Sequence, residues 1–193
     1  MASELPLLVS PQNLAARLGG EELLIVDLGK ARVHEQAHVP GAVHLDFRQL
    51  LSGTQPAPGL LPEPEQLSAV LSSLGLRPGT CVVAYDDEGG GWAGRLLWTL
   101  DAIGHTCYAY LDGGIHAWLA EGLPTETHIN TPRASDYPVT ELNPVTNVEL
   151  DEMLARHANP EIAIWDARSA EEYDGLRAYA QKSGHIPGAI HYE

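Results

Sequence analysis

The length, composition and charge of the chain exclude several classes of protein. The chain has 193 residues and a formal net charge of −15, so it lacks the basic surplus with which proteins bind nucleic-acid phosphates. Hydrophobic residues make up 44% of it, as in globular proteins, and no apolar run approaches the ~18 residues of a membrane span. The N-terminus does not resemble a signal peptide, so we expect a cytoplasmic protein without nucleic-acid or membrane partners.

Strands and helices alternate over residues 1–124, which we predict to form the first domain. Continuous apolar runs at 23–27, 81–85 and 107–111 predict strands that are buried on both faces. Helices are predicted at about 11–18, 64–74, 92–103 and 115–120, where N-caps, prolines and terminal glycines mark the ends. A helical turn near 30–36 and a return strand near 42–45 complete the pattern. The alternation predicts a three-layer α/β/α domain around a mainly parallel central sheet.

The remaining residues predict a linker and a second domain. Residues 125–147 are rich in Thr, Pro, Asn and Asp and lack a helical period, although 137–139 has the composition of an extended segment lying along a domain surface. Residues 148–193 then predict a helix at 148–157, a strand at 162–166 and a helical turn at 170–173. We assign 148–193 to the beginning of a second domain.

One eight-residue segment occurs twice. Residues 37–44 read AHVPGAVH and residues 184–191 read GHIPGAIH, so five of eight positions are identical at an offset of 147. Each copy follows an apolar run that ends in an aspartate, Asp27 or Asp166. The distance from aspartate to histidine is 11 residues in the first copy and 19 in the second, which indicates an insertion of 8. Such a long period indicates tandemly repeated domains, and we expect the second copy to be truncated.

The two repeated turns are expected to share one backbone shape. Proline fixes φ near −65°, and the glycine that follows it can adopt a conformation that other residues avoid.

The loop after residues 81–85 is the expected position of any chemistry. In open α/β sheets, sites form outside the carboxyl ends of the strands. The residues concerned are Asp86, Asp87, Glu88, Gly89, Gly90 and Gly91, with Arg95 in the helix that follows. Backbone N–H groups at a helix start favour an anion, but three carboxylates repel one and the glycines lack a nucleotide-loop pattern. A structural turn is therefore favoured over a phosphate site.

No metal or cofactor is predicted. The acidic loop lacks the spacing of a calcium-binding loop and is expected to be solvated. Only His34 and His38 have helical i, i+4 spacing, and no H-E-x-x-H motif is present. Cys81 and Cys107 each open an apolar run, where a thiol usually acts as a small hydrophobic residue. We expect both to be reduced, buried and unreactive.

These motifs together resemble those of the bacterial two-domain rhodaneses, which are thiosulfate sulfurtransferases. The second copy is similar to the family's D-x-R…E-(Y/F)…GHIPGA signature at six positions, which are Asp166, Arg168, Glu172, His185, Pro187 and Gly188. The first copy matches at Asp27, His38, Pro40 and Gly41. Residues 111–118 resemble the family's C-terminal signature, and 85–95 resemble the loop of the non-catalytic N-terminal domain. The resemblance implies structural roles for the signature residues.

The resemblance also implies a thiosulfate:cyanide sulfurtransferase without a cofactor. In that family a loop cysteine of the C-terminal domain takes sulfane sulfur from thiosulfate as a persulfide and passes it to cyanide or another thiophile. One repeat offset beyond Asp86 lies position 233, past Glu193. In the first copy Asp86 occupies the nucleophile's place, and a carboxylate is a poor sulfur acceptor. We therefore expect this chain to be inactive, holding the non-catalytic domain and the opening of the catalytic one.

The sequence departs from the family's pattern at two positions. Gly29 stands where the second copy has Arg168, so the partner of the aspartate must differ between copies. Glu172 stands where mercaptopyruvate-type relatives place an arginine for the substrate carboxylate, which favours thiosulfate.

One alternative is a non-catalytic rhodanese module that binds or regulates a partner. The other is a phosphatase of the dual-specificity type, whose longer loop with Cys and Arg is absent here.

Overall fold

The computed structural model describes residues 5–179 and 181–193, and these form two compact units. Unit 1 extends to Gly53 and includes Pro58–Thr146, whereas unit 2 comprises Thr54–Ala57 and Asn147–Glu193. Residues 1–4, on which the signal-peptide expectation rests, lie outside the described residues. In the part of the chain that is described, no helix is both long enough and apolar enough to cross a bilayer.

Unit 1 is built around a parallel sheet of five strands, in the order β1-β5-β4-β2-β3. The strands are β1 (Leu8–Val9), β2 (Leu23–Asp27), β3 (Val43–His44), β4 (Cys81–Tyr85) and β5 (Tyr108–Leu111). The helices are α1 (Pro11–Ala15), α2 (Ala31–Gln36), α3 (Pro64–Ser73), α4 (Gly91–Ala102) and α5 (Gly114–Ala120), with a 3₁₀ turn at Phe47–Leu50. The predicted fold class is confirmed for this unit, although the two-residue strand β1 was not predicted.

The two faces of the sheet explain why its central strands are apolar throughout. Val26 and Ala84 point into one core cluster, together with buried side chains of α3 and α4. Ile25 and Val83 point into a second cluster on the opposite face, with buried side chains of α1 and α5. Successive strand residues face opposite sides, so burial of both faces requires an unbroken hydrophobic run.

The segment 135–143, which we call the docked segment, is part of unit 1 and lies extended along α3. The Tyr137 N–H donates to Ser72 Oγ at 2.9 Å, and the Val139 N–H donates to Ser68 Oγ at 2.8 Å. Tyr137 Oη lies 2.9 Å from His105 Nδ1. The expectation that 137–139 follows a domain surface is confirmed, because serines of α3 supply the acceptors that a sheet edge would otherwise provide.

Unit 2 has little core of its own. It contains α6 (Leu150–Arg156), β6 (Trp165–Asp166), α7 (Ala170–Tyr173) and β7 (Ile190–His191), with β6 and β7 paired in parallel. The predicted strand at 162–166 is thus shorter than expected. Trp165 is 71% exposed and Ile190 58%. A pair of two-residue strands cannot bury such side chains, and three or more strands are usually needed for a stable sheet.

The two cysteines contradict the expectation that both are reduced. Cys81 and Cys107 form a disulfide with a Cα–Cα distance of 4.6 Å. The register explains the error: Val82 pairs with Tyr108, so the preceding residues lie side by side at the amino ends of β4 and β5. The 12 residues of α4 separate these strands in sequence, and the apolar runs alone do not reveal which residues are neighbours.

Candidate functional site

The candidate site lies where the carboxyl ends of β2 and β4 meet. These strands pair in parallel, with Asp27 opposite Tyr85. The Leu28 N–H donates to the Tyr85 carbonyl at 2.8 Å, which holds the two following loops together. The loop after β4, residues 86–90, is the one in which the sequence predicted chemistry.

The Asp86 side chain turns inward and fills a cradle of backbone N–H groups. Its Oδ1 accepts from the N–H of Glu88 at 3.0 Å and of Gly90 at 2.8 Å. Its Oδ2 accepts from the N–H of Trp92 at 3.0 Å and of Ala93 at 2.9 Å. The loop and the first turn of α4 therefore form an anion site, as helix starts can. The anion in that site is the protein's own carboxylate, which is 1% exposed.

Two glycines allow the chain to close around Asp86. Gly90 has φ +99° and packs against the Tyr110 ring, whose hydroxyl would lie 3.1 Å from an added Cβ. Gly114 has φ +56°, and a Cβ there would lie 2.5 Å from the Asp86 carbonyl oxygen. Both positions need glycine, because a left-handed backbone and a close approach of main chain coincide.

The other two acids of the loop contact Lys30 instead of lying free in solvent. Asp87 Oδ1 accepts from the Lys30 N–H at 3.0 Å, and its Oδ2 lies 3.8 Å from Lys30 Nζ. The ammonium of Lys30 also bonds to Glu88, and this bond raises the pKa of Lys30. The expectation of a solvated acidic loop is therefore wrong for Asp86 and Asp87, whose carboxylates are held by backbone N–H groups.

Arg95 points away from the loop. Its guanidinium donates to the carbonyls of Leu50, Gly59 and Leu60 at 2.9–3.2 Å, and burial lowers its pKa. It thereby satisfies three carbonyls of the segment between the 3₁₀ turn and α3. The sequence grouped Arg95 with the loop, but the structure places it in a supporting role.

A cavity of about 280 Å³ lies beside the loop. Its lining includes Gly29, Lys30, His44, Arg48 and Trp92. Lys30 is paired with Glu88, and Arg48 is paired with Asp46, whose pKa this bond lowers. Each cation that lines the cavity is therefore already neutralised, so the cavity offers little attraction to a small dianion.

The signature residues of the first copy form a buried structural network. Asp27 Oδ1 accepts from the Gly29 N–H at 2.8 Å, and Oδ2 accepts from His34 Nδ1 at 2.8 Å. The His34 ring stacks on His38 at 3.8 Å, and His38 Nδ1 donates to the His34 carbonyl at 2.6 Å. Glu126 Oε1 accepts from the Gly41 N–H at 2.6 Å. These contacts bind strand, helix and turn together; those of Asp27 and His38 are buried, whereas the Gly41–Glu126 bond is exposed.

The second copy uses similar contacts with a different side-chain partner. Asp166 Oδ1 accepts from Arg168 Nε at 2.8 Å, and this pairing lowers the pKa of Asp166 to about 2. The Tyr173 ring stacks on His185 at 3.7 Å, and His185 Nδ1 donates to the Tyr173 carbonyl at 2.8 Å. The expectation that the aspartate has different partners in the two copies is confirmed.

Glu172 caps a helix in this structure. Ser169 Oγ donates to Glu172 Oε2 at 2.9 Å, and the Glu172 N–H donates back to Ser169 Oγ at 3.4 Å. Ser169 is the N-cap of α7, and the Glu172 N–H makes one of the two bonds of a capping box, while the Glu172 carboxylate bonds to the Ser169 hydroxyl instead of to its backbone N–H. From the sequence, Glu172 was expected to have a structural role as a signature residue and to bear on substrate choice, but its S-x-x-E spacing was missed.

The two repeated turns share their geometry at the positions compared. The Ala42 N–H donates to Val39 O at 2.9 Å, and the Ala189 N–H donates to Ile186 O at 2.9 Å. The glycines have φ +80° at Gly41 and +86° at Gly188. The fixed φ of Pro40 and Pro187 and the left-handed glycines account for this agreement.

Metal ligands are not grouped in the described ranges. Among residues 5–179 and 181–193, no cluster of three or more His, Cys, Asp or Glu side chains is arranged to hold a metal ion. His34 and His38, which have the i, i+4 spacing, use their Nδ1 atoms within the network around Asp27.

Comparisons with known proteins agree with these structural motifs. The sequence profile of the rhodanese-like domain matches residues 10–121 and 149–193. A thiosulfate sulfurtransferase of Pseudomonas aeruginosa is 44% identical over 191 residues, covering 99% of this chain and 70% of that protein. A thiosulfate sulfurtransferase of Azotobacter vinelandii has the same identity and coverage. The solved structure of SseA from Escherichia coli, a 3-mercaptopyruvate sulfotransferase, matches with a TM-score of 0.85 and 26% identity over 97% of this chain and 74% of that one.

Proposed function

Because this chain belongs to the rhodanese family, whose matched relatives are sulfurtransferases, we propose that it is part of a thiosulfate:cyanide sulfurtransferase. In this proposal unit 1 is the non-catalytic domain and unit 2 opens the catalytic domain. The persulfide cysteine is neither Cys81 nor Cys107, which are the only cysteines of the sequence.

The observation that carries the proposal is the occupied cradle around Asp86. A persulfide-forming cysteine needs converging N–H groups that stabilise its thiolate and then the persulfide anion. Unit 1 has such groups, but all four donate to the Asp86 carboxylate. These N–H groups would suit an anionic side chain at the nucleophile's position. The side chain present there is the Asp86 carboxylate, which cannot accept sulfur.

The chemistry assigned to the complete enzyme has two steps. A cysteine thiolate attacks the outer sulfur of thiosulfate, the S–S bond breaks, and sulfite leaves with the electron pair. Cyanide then attacks the terminal sulfur of the persulfide, which releases thiocyanate and restores the thiolate. Cys81 and Cys107 do not fit this role, because their sulfurs are bonded to each other. Both also lie at the amino ends of their strands, whereas the loop around Asp86 follows the carboxyl end of β4.

Thiosulfate is the proposed donor, in preference to mercaptopyruvate. The position at which mercaptopyruvate-type relatives are expected to hold an arginine is Glu172 here, and a carboxylate repels the substrate's own carboxylate. Glu172 is engaged with Ser169, which fixes that charge at the start of α7. The predicted cytoplasmic location accompanies this proposal and is tested by fractionation of the native source.

The alternative is a non-catalytic rhodanese module that binds a partner. The same observation favours it, because unit 1 on its own has no acceptor for sulfur. A module of this kind would keep its partner-binding function without any cysteine near position 233.

A thiocyanate assay separates the two proposals. The 193-residue chain is expected to give no turnover with thiosulfate and cyanide. A chimera that continues after Glu193 with the remaining part of the Pseudomonas aeruginosa relative is expected to give turnover, which is lost when the loop cysteine of the added part becomes serine. Turnover by the short chain that disappears in Cys81→Ser or Cys107→Ser would overturn the proposal, and a folded but inactive chimera would favour the module.

The cradle itself is tested by Asp86→Cys. After incubation with thiosulfate, mass spectrometry is expected to find one additional sulfur atom on this variant. Asp87→Cys is the matched control, since its side chain lies outside the cradle and contacts Lys30. Equal sulfur loading of the two variants would show that the N–H groups around Asp86 do not favour a persulfide.

A further inference from the structure

The Cys81–Cys107 disulfide lies far along the sheet from the loop around Asp86. The two cysteines lie at the amino ends of β4 and β5, whereas Asp86 follows the carboxyl end of β4. The disulfide therefore takes no part in the contacts described for the candidate site. It is also a covalent bond between strands that already pair along Val82–Ala84.

A large open cavity reaches one of the two cysteines. The cavity has a volume of about 690 Å³ and is lined by Cys81, by Leu5 and by the continuous stretch 16–23. Cys107 is not part of its lining. This volume is in the range of small-molecule sites, roughly 300–1,000 Å³. Cys81 is 7% exposed, whereas Cys107 is half-buried and reaches solvent outside this cavity, so the two sulfurs are approached by different routes.

From this placement we propose that Cys81 is a thiol-exchange site at which a small thiol enters the cavity and opens the Cys81–Cys107 disulfide. The small thiolate attacks Cys81 Sγ, the S–S bond breaks, and the Cys107 sulfur leaves with the electron pair and takes a proton from water. A second small thiol attacks the mixed disulfide and releases Cys81 as a thiol. The protein disulfide is reduced, and two small thiols are oxidised to one small disulfide.

The charges around the cavity define which small thiol fits. Glu21 and Glu22 line it together with Arg17, so carboxylates outnumber guanidinium groups. The excess negative charge disfavours an anionic thiol over a neutral one of the same size. The substrate class is therefore a small thiol without net negative charge.

The first experiment identifies the attacked sulfur. The native 193-residue chain is incubated with excess 2-mercaptoethanol, quenched at intervals by alkylation, digested and analysed by mass spectrometry. We expect the transient mercaptoethanol adduct on Cys81 and the first alkylated thiol on Cys107. An adduct found mainly on Cys107, or no reduction before denaturant is added, would overturn the proposal.

A matched pair of variants tests the route through the cavity. Ala16 is exposed and lines the cavity, so Ala16→Trp places a large side chain at its mouth. Ala120, at the end of α5, is also exposed but lies outside the lining. Ala16→Trp is expected to slow native reduction at least about fivefold and Ala120→Trp less than about twofold, because access governs exchange rates. Equal slowing by both variants would argue against entry through this cavity.

A second measurement needs no variant. 2-Mercaptoethanesulfonate has the size of 2-mercaptoethanol with an added negative charge. At low ionic strength, and per thiolate, it is expected to react about threefold more slowly, and the difference should disappear near ~0.5 M salt. A sulfonate that reacts as fast as the neutral thiol at low salt would refute the assigned substrate class.

Discussion

The two signature aspartates receive the same backbone bonds but pair with different side chains. Asp27 accepts from the Gly29 N–H at 2.8 Å, and Asp166 accepts from the Arg168 N–H at 3.2 Å. The histidine of each return strand bonds the same carbonyl, from His44 to Gly29 at 2.9 Å and from His191 to Arg168 at 2.8 Å. The side-chain partner is His34 Nδ1 in unit 1 and the Arg168 guanidinium in unit 2.

Burial accounts for this difference. The side chains of Asp27 and His34 are 4% and 3% exposed, whereas the Arg168 side chain is 44% exposed. Histidine can be neutral and stack in a dry core, but arginine is always charged and needs water or full pairing. The same backbone frame thus accepts either side chain, and its surroundings decide which one is stable.

The largest expected contrast lies in amide exchange. The amides of β7 are expected to exchange at least about 100-fold faster than those of β2, because little apolar burial protects unit 2. Strand β3 is the control, since it also has two residues but belongs to the five-stranded sheet. Hydrogen exchange followed by NMR measures all three strands. Equal protection of β7 and β2 would contradict the claim that unit 2 is less protected by apolar burial than unit 1.

Removing each aspartate is expected to have unequal effects on stability. Asp27→Ala deletes two buried hydrogen bonds and should lower the unfolding free energy of unit 1 by about 2–4 kcal/mol. Asp166→Ala should cost unit 2 less than about 1 kcal/mol, since its partner is solvated. Urea unfolding measures unit 1, and exchange at β6 measures unit 2. Asp136→Ala, which removes an exposed carboxylate, is the control. Equal costs at Asp27 and Asp166 would contradict the role assigned to burial.

Substitution of Gly29 tests why unit 1 has no arginine at the position where Arg168 pairs with Asp166 in unit 2. A Cβ at Gly29 would lie 2.9 Å from Asp27 Oδ1 and 3.0 Å from Asp87 Oδ1. Gly29→Ala is therefore expected to destabilise unit 1 by about 1–3 kcal/mol. Gly94→Ala is the control with the opposite sign: no atom lies within 4 Å of its added Cβ, and a helical alanine stabilises by up to ~1 kcal/mol. Thermal unfolding of the two variants should shift in opposite directions.

The smallest effect is expected in the titration of Asp166. Arg168→Gln should raise the pKa of Asp166 from about 2 toward its ordinary value of 3.8. Because the folded pKa is lowered, the pair's stabilisation is complete above the ordinary pKa and is lost as the pH falls toward about 2. NMR titration of the carboxyl carbon measures the shift. Arg156→Gln, whose parent side chain pairs with Glu152 in α6, should leave the midpoint unchanged.

The central fold could be predicted because its signals are local. The apolar run of β4 and the spacing of Leu67, Val70 and Leu71 in α3 reflect burial that each element imposes on its own sequence. The two-residue strands carry too few residues for such a pattern. The Cys81–Cys107 bond depends on the register between two strands, which no single segment encodes.

The candidate site was predicted in position but not in geometry. The carboxyl ends of parallel strands lie at the same edge of a sheet, and this rule alone identified the loop at Asp86 as the position of the site. The inward turn of the carboxylate depends on the left-handed Gly90 and on the space left by Gly114, and these come from different parts of the chain. Residues that lie far apart in the sequence do not reveal that they meet in the fold, so the loop was expected to be solvated.

The carboxylate of Asp86 also determines how unit 1 responds to dissolved ions. A ligand in solution stabilises a fold according to its concentration relative to Kd, whereas a group attached to the loop has a fixed, high effective concentration. The cradle is thus filled by a group of the protein itself, and its four donors do not need a solute as their partner. Unit 1 should accordingly show no saturable stabilisation by thiosulfate or sulfate.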